Sequence, residues 1–268
     1  MKIGFVGAGR MASALACGIA RSFESVTLYA FDPAEKAVLD LKDQLKEIGV
    51  DLHSTDSNQE LVSLSDIVML AVKPQIIDSA LANLSARDDR QLFVSVVAGT
   101  RMESLVKLLG TSNVVRAMPN TPCLIGSGVT ASCRSESVTD ESYAIVQSIF
   151  ESVGVVVDVS EFQMDAVTGL SGSGPAYVYT FIEALIDAGV LAGLPRRVAQ
   201  LLAVQTVAGA TEMVGATGEH PAVLRDQVTS PGGTTIHGLQ QIEKLGFRES
   251  VLGAVKAATE RSVELSGN

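Results

Sequence analysis

Gly7-Ala8-Gly9-Arg10-Met11-Ala12 follows a short apolar run and opens a predicted helix. The chemistry of this pattern is phosphate binding. The first glycine permits a tight turn, and the second lets a pyrophosphate reach bare backbone. Ala12 keeps helix and strand close, while the helix N-terminus offers N–H donors and positive potential. An acid some 20 residues further on is expected to accept from an adenosine-ribose hydroxyl, and Asp32 stands at the end of the next apolar run. A carboxylate there repels a 2′-phosphate and so favours NAD. Against that, Arg10 and Lys36 are near in sequence and can neutralise a phosphate, and Asp32 can also cap the helix from Pro33. The residues leave both roles open.

Further loops fall where strands are expected to end. Ala71-Val72-Lys73-Pro74 and Ala98-Gly99 sit at the carboxyl ends of apolar runs, where ligands of open α/β sheets bind. Lys73 can reach a ribose or phosphate from there, or simply face solvent. Arg116-Ala117-Met118-Pro119-Asn120-Thr121-Pro122 is a rigid polar loop with no chemistry of its own to declare. Thr229-Ser230-Pro231-Gly232-Gly233-Thr234-Thr235 leads into a helical stretch over residues 236–245. Its glycines expose N–H groups at a helix N-terminus, which suits a small carboxylate or a plain N-terminal turn. Gly169-Leu170-Ser171-Gly172-Ser173-Gly174-Pro175 offers the same two readings, with a helix start favoured. Between Met164 and Pro195 there is no Lys, Arg or His. An alcohol-oxidising dehydrogenase needs a base for the hydroxyl proton; a reductase acting on a protonated imine does not.

The elements that must position these loops are legible. Residues 2–6, 25–31, 67–72, 92–98 and 113–117 read as short buried strands, and 34–48 places Val38, Leu41, Leu45 and Ile48 on one helix face. Strands separated by helices imply a parallel sheet covered on both sides. Residues 126–133 and 155–159 are expected to add outer strands around a helix near 141–153. From Asp165 onward the pattern is helical only, with Pro175 and Pro195 expected in first turns. Helices this apolar on several faces, over 177–191 above all, ask for a second copy to cover them. The expected division is an α/β dinucleotide-binding domain at 1–162 and an all-α dimerisation domain at 163–268.

Composition excludes other classes. The chain has 268 residues, 47% hydrophobic and 19% charged, with 20 Lys and Arg against 30 Asp and Glu, net −10. Both halves are acidic, which opposes nucleic-acid binding. No stretch reads as a span of ~20 apolar residues, and the apolar start is too short for a signal peptide. Cys17, Cys123 and Cys133, with His53, His220 and His237, show no metal or disulfide spacing, so no metal and a reduced, cytoplasmic setting are expected.

Five segments carry a resemblance: GFVGAGRMASAL at 4–15, AVKP at 71–74, RAMPNTP at 116–122, GLSGSGPAYVYTFIEAL at 169–185, and GEHPAVLRDQVTSPGGTTIHGL at 218–239. In these the chain resembles the pyrroline-5-carboxylate reductases. The resemblance implies reduction of 1-pyrroline-5-carboxylate to L-proline by NADP(H) or NAD(H), through hydride transfer to a protonated cyclic imine. It implies an N-terminal Rossmann-type domain and a C-terminal helical domain that interlocks with its partner in a homodimer, which can assemble into a ring. Cofactor contacts then fall on Gly7, Gly9, Arg10, Met11, Ala12, Asn58, Ala71, Val72, Lys73, Pro74, Ala98 and Gly99. The substrate carboxylate falls on Ser230, Gly232, Gly233 and Thr234, and the imine nitrogen on the catalytic Thr235 hydroxyl. Several family members carry a small polar residue where Asp32 stands, so the coenzyme preference stays open.

Overall fold

The computed structural model describes residues 1–82 and 84–267. Eight strands form one sheet in the order β3-β2-β1-β4-β5-β6-β7-β8. They are β1 Lys2–Val6, β2 Thr27–Phe31, β3 Leu52–Ser54, β4 Ile67–Leu70, β5 Leu92–Ser95, β6 Val114–Met118, β7 Gly128–Arg134 and β8 Gly154–Asp158. The helices between them are α1 Arg10–Ser22, α2 Glu35–Glu47, α3 Asn58–Leu64, α4 Ile77–Leu81, α5 Met102–Leu109 and α6 Asp140–Glu151. The central strands are continuous apolar runs because both faces are covered. Ile3, Phe5, Met69 and Val94 pack under α1, α2 and α6, while Val6, Val68, Leu70 and Phe93 pack under α3, α4 and α5. Phe5 and Phe93 are fully buried, each worth roughly 1.5–3 kcal/mol in area removed from water.

Strands β1 to β6 run parallel, so their carboxyl ends share one edge. The order reverses between β1 and β4, which makes the crevice beyond those two ends the natural ligand position. The parallel pairing is interrupted at one step, where β7 pairs antiparallel to β6. Only a 3-10 turn, Thr121–Ile125, joins them, and so short a connection cannot carry the chain back for a parallel pairing. Strand β3 escaped the sequence reading because it is three residues long with only Leu52 buried.

Helices α7 Met164–Val167, α8 Gly174–Leu191, α9 Arg196–Thr217, α10 Pro221–Gln227, α11 Thr234–Lys244 and α12 Phe247–Leu265 complete the chain. Pro175 lies in the first turn of α8 as expected, but Pro195 is the N-cap of α9. The fold divides into two compact units, Met1–Ser173 with Ala257–Asn268, and Gly174–Lys256. In the second unit α8 packs on α9, where a Cβ on Gly189 would stand 2.9 Å from Ala199 Cβ. That unit leaves large apolar side chains in the open: Leu191 is 91% exposed, Leu245 80% and Leu201 69%. No helix of the described residues is long and apolar enough to cross a membrane.

Candidate functional site

Helix α1 starts directly behind β1 because Gly7 and Gly9 permit it. Gly7 has φ +94°, and a Cβ on it would lie 2.8 Å from the Ala71 carbonyl oxygen. The loop after β1 thus touches the loop after β4. Gly9 is the N-cap of α1, without a side-chain cap, and a Cβ there would meet nothing within 4 Å. The backbone at Gly9 therefore borders open space, while Ala12 is fully buried beneath the helix. Met11 is half-buried, and Arg10 is exposed with no ion pair among the described residues.

Asp32 is half-buried at the end of β2, and its carboxylate is already engaged. Oδ2 accepts the Ala8 N–H at 3.0 Å, and Oδ1 accepts the Ala34 N–H at 2.9 Å. The helix-cap alternative takes a different form from the one expected, since the N-cap of α2 is Ala34. Asp32 instead ties the glycine loop to the start of the α2 segment. Each carboxylate oxygen has acceptor capacity left for a hydroxyl.

Asn58 opens α3 and donates from Nδ2 to the Ala80 carbonyl at 3.0 Å. Its Oδ1 is buried and has no hydrogen-bond partner, a state that costs about 1–3 kcal/mol unless a ligand relieves it. Ala71, Val72 and Pro74 are half-buried, and Lys73 is exposed as the N-cap of a 3-10 turn. Gly99 is buried with φ +71°. All these residues lie at the carboxyl edge of the sheet.

The polar loop after β6 has more chemistry than its sequence declared. Arg116, with 5% side-chain exposure, holds Glu161 Oε1 at 3.2 Å, and the same oxygen accepts the Met102 N–H at the start of α5. Asn120 accepts the Val129 N–H and donates to the Ser171 carbonyl. The available signal was an arginine inside an otherwise apolar strand.

In the second unit Gly232 has φ +66°, and Gly233 caps α11 without a side-chain hydrogen bond. A Cβ on Gly233 would lie 2.2 Å from Ser230 Oγ, so the Ser230 hydroxyl packs directly against this turn. The His237 ring bonds the Gly233 carbonyl through Nδ1 at 2.9 Å. Thr234 is exposed and Thr235 half-buried, and neither hydroxyl makes a hydrogen bond among the described residues. The N–H groups of this first turn can receive an anion, and the two hydroxyls can receive a polar neighbour of that anion. The second glycine-rich stretch is no cradle. It forms a π-type turn over Thr168–Gly172, where the Ser173 N–H is spent on the Thr168 carbonyl, and runs into α8.

Residues 161–265 match the family model for pyrroline-5-carboxylate reductase dimerisation, and residues 2–99 match that for coenzyme F420-dependent NADP oxidoreductases. A pyrroline-5-carboxylate reductase of Synechocystis is 45% identical over 99% of this chain and 98% of its own. One of Arabidopsis thaliana is 44% identical over 99% and 95%. The crystal structure of pyrroline carboxylate reductase from Plasmodium falciparum, with NADP bound, superposes with a TM-score of 0.89 at 38% identity, covering 100% of this chain and 98% of that one.

Proposed function

The chain belongs to the pyrroline-5-carboxylate reductase family, and on that premise we propose which of its residues carry the reaction. It is an oxidoreductase of proline biosynthesis that reduces 1-pyrroline-5-carboxylate to L-proline with NAD(P)H. The cofactor's pyrophosphate lies on the bare N-terminus of α1, against Gly7, Gly9, Arg10, Met11 and Ala12. The remaining contacts come from Asp32, Asn58, the segment from Ala71 to Pro74, and the turn at Ala98 and Gly99. The open space at Gly9 and the orphaned Asn58 Oδ1 support this assignment.

The bare first turn of α11 carries the substrate assignment. N–H groups of Gly232, Gly233 and Thr234, with Ser230, hold the carboxylate, and the Thr235 hydroxyl orients the ring nitrogen. The chemistry a bound NAD(P)H supplies is one hydride at the imine carbon. With the nitrogen already protonated, that hydride completes the amine of proline, so no base is demanded of the chain. The stretch between Met164 and Pro195, empty of Lys, Arg and His, agrees with that. The protein's contribution is positioning of two reactants. The second unit pairs with its copy in a homodimer that can build a ring, and the enzyme works in the cytoplasm. A spectrophotometric assay of NADPH and NADH oxidation with 1-pyrroline-5-carboxylate tests the activity; no oxidation with either coenzyme would refute it.

A further inference from the structure

Helix α12 ends on the sheet-bearing unit through a single buried residue. Of its 19 residues only Ser262 is buried, at 3% exposure. The Ser262 hydroxyl donates to Asp165 Oδ1 at 2.6 Å, across 97 positions of sequence. One turn on, Leu265 covers Gly99: a Cβ on Gly99 would lie 3.2 Å from Leu265 Cβ and 3.6 Å from its carbonyl carbon. Gly99 also holds φ +71°, so glycine serves both the turn and the approach. A few residues later the chain is fixed again, where Glu161 takes the Met102 N–H and is itself held by buried Arg116.

We propose that Ser262 and Asp165 are positioning residues for dinucleotide binding. Their hydrogen bond seats the last turn of α12 on the Ala98-Gly99 turn and so fixes the backbone that the cofactor meets; this rests on reading that turn as a cofactor loop. A carboxylate acceptor makes the bond strong, and no other buried residue of α12 can replace it. When the helix end lifts, the turn samples other conformations. Apparent affinity then falls in proportion to the binding-competent fraction.

The test compares the full-length wild type, Ser262→Ala, Asp165→Asn and a chain ended after Glu264. NADPH affinity is read by fluorescence titration, and mobility of residues 96–100 by hydrogen exchange. In the wild type NADPH slows exchange at 96–100. Ser262→Ala and the shortened chain raise the Kd for NADPH by about 3- to 10-fold. They speed exchange at 96–100 without ligand, and leave KM for 1-pyrroline-5-carboxylate at saturating NADPH unchanged. Asp165→Asn keeps an acceptor but loses its charge, so its Kd falls between those of the wild type and Ser262→Ala. Wild-type Kd in both disrupted proteins, with NADPH slowing exchange in the wild type, overturns the proposal and leaves the cofactor reading standing. Absence of that slowing overturns the cofactor reading and the proposal with it. An equal rise in both substrate constants with a lower Tm assigns Ser262 to stability alone, and also overturns it.

Discussion

Replacing Asp32 with Ser should shift the coenzyme ratio strongly towards NADPH. Three effects follow from its contacts. The Ala8 N–H loses its acceptor, because a serine hydroxyl reaches its own i+2 amide at Ala34 but not the glycine loop. That loosens the pyrophosphate site equally for both coenzymes and cancels in their ratio. Second, NADH loses a ribose hydroxyl bond to a charged acceptor, worth roughly 1.5–3 kcal/mol. Third, NADPH is relieved of repulsion between a carboxylate and a 2′-phosphate, about 1 kcal/mol per unit charge at contact in water-like screening. Asp32 is half-buried, so the low end of each range applies. The two low ends add to about 2.5 kcal/mol, so the ratio of kcat/KM for NADPH over NADH should rise roughly 70-fold, since each 1.36 kcal/mol is tenfold. Steady-state kinetics with each coenzyme, at saturating 1-pyrroline-5-carboxylate, measures it. A ratio within about threefold of wild type, with both activities lowered alike, would refute the ribose contact and reduce Asp32 to a brace for the glycine loop.

Thr235→Ala should lose about 10- to 150-fold in kcat/KM for 1-pyrroline-5-carboxylate, the worth of one hydrogen bond to a charged group. NADPH affinity and Tm should hold, because the hydroxyl makes no hydrogen bond among the described residues; full turnover would remove Thr235 from the site. The apolar side chains bared on α8, α9 and after α11 predict a dimer or larger species in sedimentation, and a 28 kDa particle at micromolar concentration would contradict it. Burial pushes the Tyr143 hydroxyl up to about 12, with Asp158 adding to the rise and Ser132 opposing it. The folded value lies above the ordinary ~10, so stability is full below pH ~10 and is lost as pH rises through ~12. Tyr143→Phe should flatten that alkaline limb in urea titrations between pH 9 and pH 11.5, limits set by those two values, roughly; an unchanged slope would place the alkaline loss elsewhere.

How much of this was legible in the residues depended on the range of the contact. β1 was read to its exact ends at Lys2 and Val6, because a lysine followed by four buried residues and then a glycine turn admits little else. The glycine turn after β1 and the helix start after Gly233 were likewise legible, since each is a local change of backbone marked by a few adjacent residues. Contacts between distant segments were not. Nothing local marks Asp165 as the partner of Ser262, or Glu161 as the group that neutralises Arg116 and caps α5. The direction of β7 was not legible for a related reason: an apolar run marks a strand but carries no sign. Only the shortness of the 121–125 turn dictates an antiparallel return.

The same division explains Asp32. Its position some 20 residues past the glycines declared a ribose acceptor, and its place before Pro33 declared a cap, and the residues alone could not choose. The structure shows why both signals were present. One carboxylate oxygen closes the turn into α2 and the other anchors Ala8, so the acid that would face a ribose is also what holds the pyrophosphate loop in shape. A small polar residue at this position gives up the Ala8 tie together with the negative charge. On the proposed ribose contact, coenzyme choice and loop rigidity are coupled through one side chain, and a change made for the first has to be judged against its cost to the second.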